Sequence, residues 1–292
     1  MKYFKKWEDL TITDDFMFCK VMQDENICRE LLEILLHIKI GKLNFQVPQK
    51  SIQITGESRG IRLDVYAADS DRVFDIELQT TDERNLELRT RYYQGVMDID
   101  ELARGSNFHA LKESYIIFIC TFDPFGDNLP IYTVRQTFDE NSNLIFDDKT
   151  HKIYYNANAF GKIADDAEIK AFLEYLCKNN VTSEFTASLD SAVNMNKGNQ
   201  HWRKEYMTLA YDMAVATNKA RELGWKEGRE EGLNEGREKG RKEGIAIGEE
   251  RGISLGTYQK ALETAKSMKH ENMPIPMIAH FTGLSIEEID KL

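Results

Sequence analysis

"RLDVYAADSDRVFDIELQ", Arg62 to Gln79, is the stretch on which the fold turns. Two runs of alternating character flank "ADSDR", whose Asp and Ser residues favour turns, so the segment reads as a β-hairpin. Alternate residues of a strand share a face. Arg62, Asp64 and Tyr66 therefore lie together on the first strand, and Asp75, Glu77 and Gln79 on the second; Leu63, Val65, Ala67 and Phe74, Ile76, Leu78 take the opposite faces. A turn around Ser70 and Asp71 pairs Asp64 with Glu77, Arg62 with Gln79 and Tyr66 with Asp75. A one-residue slip would set Asp64 against Ile76 or Leu78, polar against apolar.

Directly opposed side chains have Cβ atoms about 4.5 to 5.5 Å apart, and like charges placed there repel. Two readings of Asp64 and Glu77 follow. One is a solvated hairpin face that is simply acidic, as surface strands often are. The other is a divalent cation held between the two carboxylates. Mg²⁺ binds through one or two carboxylates and leaves its remaining positions to water and substrate phosphate, the chemistry of a metal-dependent phosphodiesterase.

Working outward, Thr13, Asp14 and Asp15 open a helix. The following "FMFCKVMQDENICRELLEILLHI" repeats apolar residues at three- and four-residue spacing, with a break expected near Asp24 to Asn26. After the hairpin, "DERNLELRTRYYQGVMDIDELARG" has a helical pattern that stops at Gly105. "SYIIFICTF" is short and apolar on both faces, which predicts a central buried strand. "IYTVRQTF", "NLIF" and "HKIYYN" predict an antiparallel edge with "DENSN" as a turn. Helices resume at "DDAEIKAFLEYLCKN" and "HWRKEYMTLAYDMAVATNKARELG". Strands and helices in this order predict an α/β domain with a mixed central sheet flanked by helices.

A chain of 292 residues accommodates one domain of roughly 200 residues and an appendage. The net charge of -11 argues against a tight passive binder of nucleic acid, whose affinity comes mainly from Lys and Arg. It leaves room for an enzyme in which a bound cation supplies positive charge beside the phosphate. The longest apolar run, Tyr115 to Cys120, is far below the roughly 20 residues that span a bilayer. "MKYFKKWEDLT" lacks the apolar core of a signal peptide, so no membrane partner and a cytoplasmic location are expected. Cys19, Cys28, Cys120 and Cys177 lie far apart without a CxxC pair and read as reduced core fillers.

The composition changes at Gly224. Glycine occupies every fourth position through Gly256, at about 1 kcal/mol of helix propensity per Gly relative to Ala. The segment reads either as a low-complexity spacer or as a helix with a glycine face used for self-association into a homo-oligomer. "MPIPMIAHFTGLSIEEIDKL" predicts two short helices around a Thr-Gly turn. Glu287, Glu288 and Asp290 beside one lysine do not suit a helix that faces phosphates. The expected organisation is a main domain over residues 1–222, the Gly-x-x-x segment over 223–256, and a small helical tail over 257–292.

Asp64 followed by Glu77-x-Gln79 resembles the PD-(D/E)xK nuclease core, with Gln in place of the last lysine. "DDFMFCKVM", "RLDVYAAD", "FDIELQ", "RTRYYQGVMDIDELARGSNFHAL", "YIIFICTF" and the "TGLSIEEIDKL" ending together resemble the recombination-promoting nuclease and transposase family of bacteria (Rpn) over nearly the whole chain. The resemblance implies a restriction-endonuclease-like core with a helical C-terminal extension. It also implies an Mg²⁺-dependent (or Mn²⁺-dependent) endonuclease acting on DNA. Asp64 and Glu77 would be the metal ligands and Gln79 the group that positions the attacking water, with Asp15 an acidic position that completes the site or, equally, part of a helix cap. Arg89, Tyr92 and Tyr93 match the family's arginine and aromatic positions. Arg89 and Tyr93, four apart on one helix face, would bind phosphate with Arg62, or the tyrosines would pack. Gln79 lacks a lysine's charge, which leaves a non-catalytic descendant of the fold, acting as an interaction protein, as the second reading.

"GESRG", Gly56 to Gly60, has the spacing of a nucleophile elbow around Ser58, but a strand is expected after it where that motif needs a helix. Scattered histidines give no zinc spacing, and Asp98, Asp100 and Glu101 read as a solvated helix face.

Overall fold

The computed structural model describes residues 5–45, 51–52 and 61–292, with backbone alone at 51–52 and 61–62. Helix α1 (Asp15–Val21) follows Asp14, which stands in extended backbone. Asp24 then caps α2 (Glu25–Leu36) by accepting from the amides of Asn26 and Ile27 at 2.9 and 3.3 Å, so the chain breaks where its short acid can replace a helical acceptor. Strand β1 (Asn44–Phe45) leads to β2 (Ser51–Ile52) and β3 (Ile61–Arg62), which pair with each other as a separate ribbon. Next come β4 (Val65–Ala68), β5 (Arg72–Gln79) and α3 (Leu86–Glu101). The remaining strands are β6 (Glu113–Cys120), β7 (Ile131–Val134), β8 (Thr137–Phe138), β9 (Asn141–Ile145) and β10 (Thr150–Asn156). Helices α4 (Ala167–Lys178), α5 (Glu184–Lys197), α6 (Gln200–His270), α7 (Ile275–Thr282) and α8 (Ile286–Asp290) complete the chain.

The six-stranded sheet runs β1-β4-β5-β6-β10-β7 and is mixed. β5 and β10 both lie parallel to β6, and the outer pairs are antiparallel. β4 and β5 pair Tyr66 with Asp75 and Val65 with Ile76, the expected register. Asp69 pins the turn: its carboxylate accepts from the amides of Asp71 and Arg72 at 3.0 and 2.8 Å and holds the Arg72 guanidinium. One face of the sheet packs Phe74, Ile76, Ile117 and Ile119 against apolar residues of α1, α2, α4 and α5. The other packs Tyr66, Val73, Ile116, Phe118 and Tyr154 beneath Tyr93, Val96 and Met97 of α3.

Several expectations need correction. Arg62 does not pair with Gln79: the β4–β5 ladder ends at Val65, the chain bends at Asp64, and Arg62 pairs with Ser51. The strands after β6 are not an antiparallel edge throughout, because β10 enters the sheet parallel to β6 and β8–β9 form a separate hairpin. That hairpin turns at 139–140, and Asn141 to Asn143 are already strand. Helix α5, opened by a Ser183–Thr186 capping box, lies in a stretch whose polar residues hid its apolar period. Cys177 is exposed, whereas Cys19, Cys28 and Cys120 are buried, and burial pushes the Cys28 and Cys120 thiols up to about 12. "GESRG" lies outside the described residues.

The chain divides into two compact units, Met1–Tyr211 and Asp212–Leu292. In the second, the glycine repeat is helical, and Ala265, Ile278, Leu284 and Ile289 form a small core of their own. Gly283 ends α7 at φ +71°, a left-handed position that favours glycine, so the Thr-Gly turn forms as expected. Among the described residues, no helix is long and apolar enough to cross a membrane.

Candidate active site

Asp75, Glu77 and Gln79 project from one face of β5 toward α3, as the period of the strand requires. Asp64 joins them from the bend before β4. Its amide donates to Glu77 Oε1 at 3.0 Å, and its own Oδ2 accepts from the Leu78 amide at 3.2 Å. Asp64 and Glu77 are thus neighbours although the regular ladder stops one residue short of them. The Cys19 thiol of α1 donates to the Asp64 carbonyl at 3.4 Å. Asp15, exposed at the first residue of α1, stands one helical turn before Cys19 and so on the same helix face.

Helix α3 lowers a cation onto this face. Arg89 donates to Gln79 Oε1 at 2.8 Å, to Glu77 Oε2 at 3.3 Å and to the Tyr93 hydroxyl at 3.0 Å. Its guanidinium lies over the rings of Tyr93 and Phe118, 5.4 and 5.5 Å from their centroids. Gln79 Nε2 donates to Glu77 Oε2 at 3.3 Å. Tyr93 is buried against the cluster, and Tyr92 is the more exposed of the two tyrosines. The side chain of Arg62 lies outside the described residues. Among the described residues, the cation that meets Glu77 is Arg89, at 3.3 Å.

Asp75 is the member that spacing alone did not single out. It is 0% exposed, and among the described residues neither of its carboxylate oxygens has a hydrogen-bond donor. Burial, and then the Asp64 charge, raises its proton affinity well above the ordinary carboxylate range, with Glu77 close enough to share a proton. Glu77, 2% exposed, is raised by burial, then by Asp75 and Asp64, against the Asp64 amide and Arg89. The signal was present in "FDIELQ", since Asp75 is two residues from Glu77 and shares its face. Glu101 is also not a solvated acid: it accepts from the Tyr66 hydroxyl at 2.8 Å and pairs with Lys112 at 3.4 Å, and Asp98 accepts from Gln94.

Among the described residues, the buried carboxyl groups of Asp75 and Glu77 share one guanidinium, that of Arg89, and their burial favours a proton or a hard cation beside them. The oxygen donors of Asp64 and Glu77 suit an ion of the Mg²⁺ kind, which needs few protein ligands. Ligation at Glu77 Oε2 would displace the two 3.3 Å bonds from Arg89 and Gln79. Among the described residues, no group of three or more His, Cys, Asp or Glu side chains is placed to hold a metal ion, so an ion on Asp64 and Glu77 would depend on water and substrate phosphate for its other positions.

A mixed sheet flanked by helices, with Asp64 at a bend and Glu77-x-Gln79 closing the next strand, defines a protein of the restriction-endonuclease-like α/β class. The sequence profile of the PD-(D/E)XK nuclease family transposases matches residues 13–223, and the chain belongs to that family. No curated protein and no solved structure matches the chain significantly.

Proposed function

We propose that this chain is a divalent-metal-dependent endodeoxyribonuclease, in which Asp64 and Glu77 hold Mg²⁺ or Mn²⁺. The observation that supports it most is the buried acid group at β4–β5, where among the described residues Asp75 has only the neighbouring Glu77 carboxyl to share a proton with and Arg89 pairs with Glu77. A structural sheet gains nothing from such a group, since buried unpaired carboxyls cost stability. When bound, the ion would polarise a phosphoryl oxygen and lower the pKa of an attacking water. The chain's own residues do the rest. Gln79 and Arg89 orient that water and the phosphate, and Tyr93 holds the guanidinium in place by accepting one of its N–H groups. Asp15 is assigned to the rim of the site, on the helix face that reaches Asp64. The nuclease domain is assigned to residues 1–222, and DNA is the substrate the family favours.

A second reading has its own support. Arg89 already joins Glu77 to Gln79, where a lysine would stand in the PD-(D/E)xK pattern, as in a descendant that no longer cleaves. One experiment separates the two. Plasmid nicking with Mg²⁺ or Mn²⁺ is expected from the wild-type chain, lost in Asp64→Ala and Glu77→Ala, and kept in Gln79→Lys. In parallel, the same ions are expected to raise the melting temperature over EDTA. No nicking and no thermal shift in the wild type would favour the non-catalytic reading.

A further inference from the structure

Arg89 stands between solvent and the acid on β5. Its side chain is 23% exposed, while that of Glu77 is 2% exposed. The guanidinium divides its N–H groups among three acceptors: Gln79 Oε1 at 2.8 Å, the Tyr93 hydroxyl at 3.0 Å and Glu77 Oε2 at 3.3 Å. The bond to the acid is the longest of the three, and so the one most easily given up. The other two, with the Tyr93 and Phe118 rings whose centroids lie 5.4 and 5.5 Å away, keep the cation seated when the third is lost. Glu77 Oε2 also accepts from Gln79 Nε2 at 3.3 Å, so both of its lone pairs are in use, and Oε1 accepts from the Asp64 amide.

We propose that Arg89 couples the divalent ion to the substrate phosphate, so that each binds more tightly when the other is present. The inference rests on the ion site proposed above and concerns what that site demands before it fills. An ion on Glu77 Oε2 takes the lone pairs that hold Arg89, and a half-buried guanidinium that loses the carboxylate it pairs with is left short of counter-charge. A phosphate restores it, because the planar fork of arginine matches two phosphate oxygens as it matches a carboxylate. The ion alone therefore binds against Arg89, and the ion with phosphate does not. By linkage the gain is mutual, the ion raising the affinity for phosphate by the same factor. Such a site loads its ion when DNA arrives rather than before.

Isothermal titration of Mn²⁺ into the full chain, in sodium sulfate and in sodium chloride of equal ionic strength, tests the coupling with sulfate as the tetrahedral dianion in place of phosphate. Free Mn²⁺ is corrected for its pairing with sulfate. The wild type is expected to bind Mn²⁺ about tenfold more tightly in sulfate, within the usual range of such couplings. Arg89→Met is expected to bind it about tenfold more tightly than the wild type in chloride, and equally in both salts. Arg91→Met removes the same charge from an exposed position on α3 and is expected to bind as the wild type does. A gain there as large as at Arg89 would make net charge the cause and overturn the proposal. So would wild-type binding that ignores sulfate, a comparison that needs no variant to fold, or weaker binding by Arg89→Met. Mn²⁺ binding alike in every chain and salt, with plasmid nicking intact, overturns the coupling and leaves the nuclease reading standing; no binding in any chain, Arg89→Met included, overturns both.

Discussion

At the scale of single residues, Asp75 and Arg89 hold opposite ends of one electrostatic problem. Among the described residues Asp75 is buried without a donor, and burial followed by the Asp64 charge raises its proton affinity in the folded chain. The folded state therefore keeps a proton that the unfolded state releases once pH passes the ordinary carboxylate range. Stability linked to this group is complete below that range and is lost as pH climbs toward the raised folded value. Asp75→Asn, nearly isosteric and uncharged, is expected to stabilise the metal-free chain at pH 8 by about 1 to 3 kcal/mol and to flatten the decline above pH ~4. Urea titrations at acidic and alkaline pH check this; an Asn variant with the wild-type slope would refute it. Arg89 spans Gln79, Glu77 and Tyr93 with a planar fork that lysine lacks. Arg89→Lys keeps the charge but loses that span. Its nicking rate is expected to fall by roughly 10- to 100-fold with little change in melting temperature, and an unaltered rate would remove Arg89 from the site.

At the scale of elements, the site depends on where helices start and strands bend. Asp24 accepts two amides at the N-terminus of α2, and α2 packs Leu31, Leu32 and Leu35 into the main core. Asp24→Ala should cost about 1 kcal/mol, read as a lower urea midpoint at constant slope. A larger loss with a changed slope would mean that the cap also governs how α1 and α2 pack together. The bend at Asp64 matters in another way. By ending the β4–β5 ladder at Val65 it turns the Asp64 amide onto the Glu77 carboxylate, so a main-chain donor and a side-chain acid approach the same oxygen-rich point. A straight strand would have continued Asp64 into ordinary pairing and Arg62 into the same sheet.

At the scale of the whole molecule, both layers of the main core are complete by Tyr206, and the C-terminal residues build a separate small core. A chain ending at Tyr211 is therefore expected to melt in one cooperative transition and to keep its stabilisation by Mn²⁺, since every acid at the site precedes α4. Calorimetry with and without Mn²⁺ would show it, and a non-cooperative melt would make the C-terminal unit part of the nuclease fold's stability. Repeated glycine lowers helix propensity by about 1 kcal/mol per position, and no described residue covers the space at Gly224 to Gly256. That unit is the part of the chain least explained by its own packing.

Much of this was legible in the residues themselves. The alternation from Val65 to Leu78, with turn formers at its centre, determined the hairpin and its register, because strand period and turn chemistry act over a few residues; Leu63, expected beside Val65 and Ala67, instead packs with Tyr66 on the other face because the chain bends at Asp64. The same local reach covers the cap at Asp24, the buried strand at β6 and the Thr-Gly turn at Gly283. Tertiary structure alone decided that Asp75 is fully buried, that Arg89 descends from the next helix onto Glu77 and Gln79, that β10 runs parallel to β6, and that Arg62 leaves the sheet. Burial and field at a carboxyl are sums over side chains distant in sequence, such as Phe118 and Tyr154 above this face, and no local pattern contains that sum.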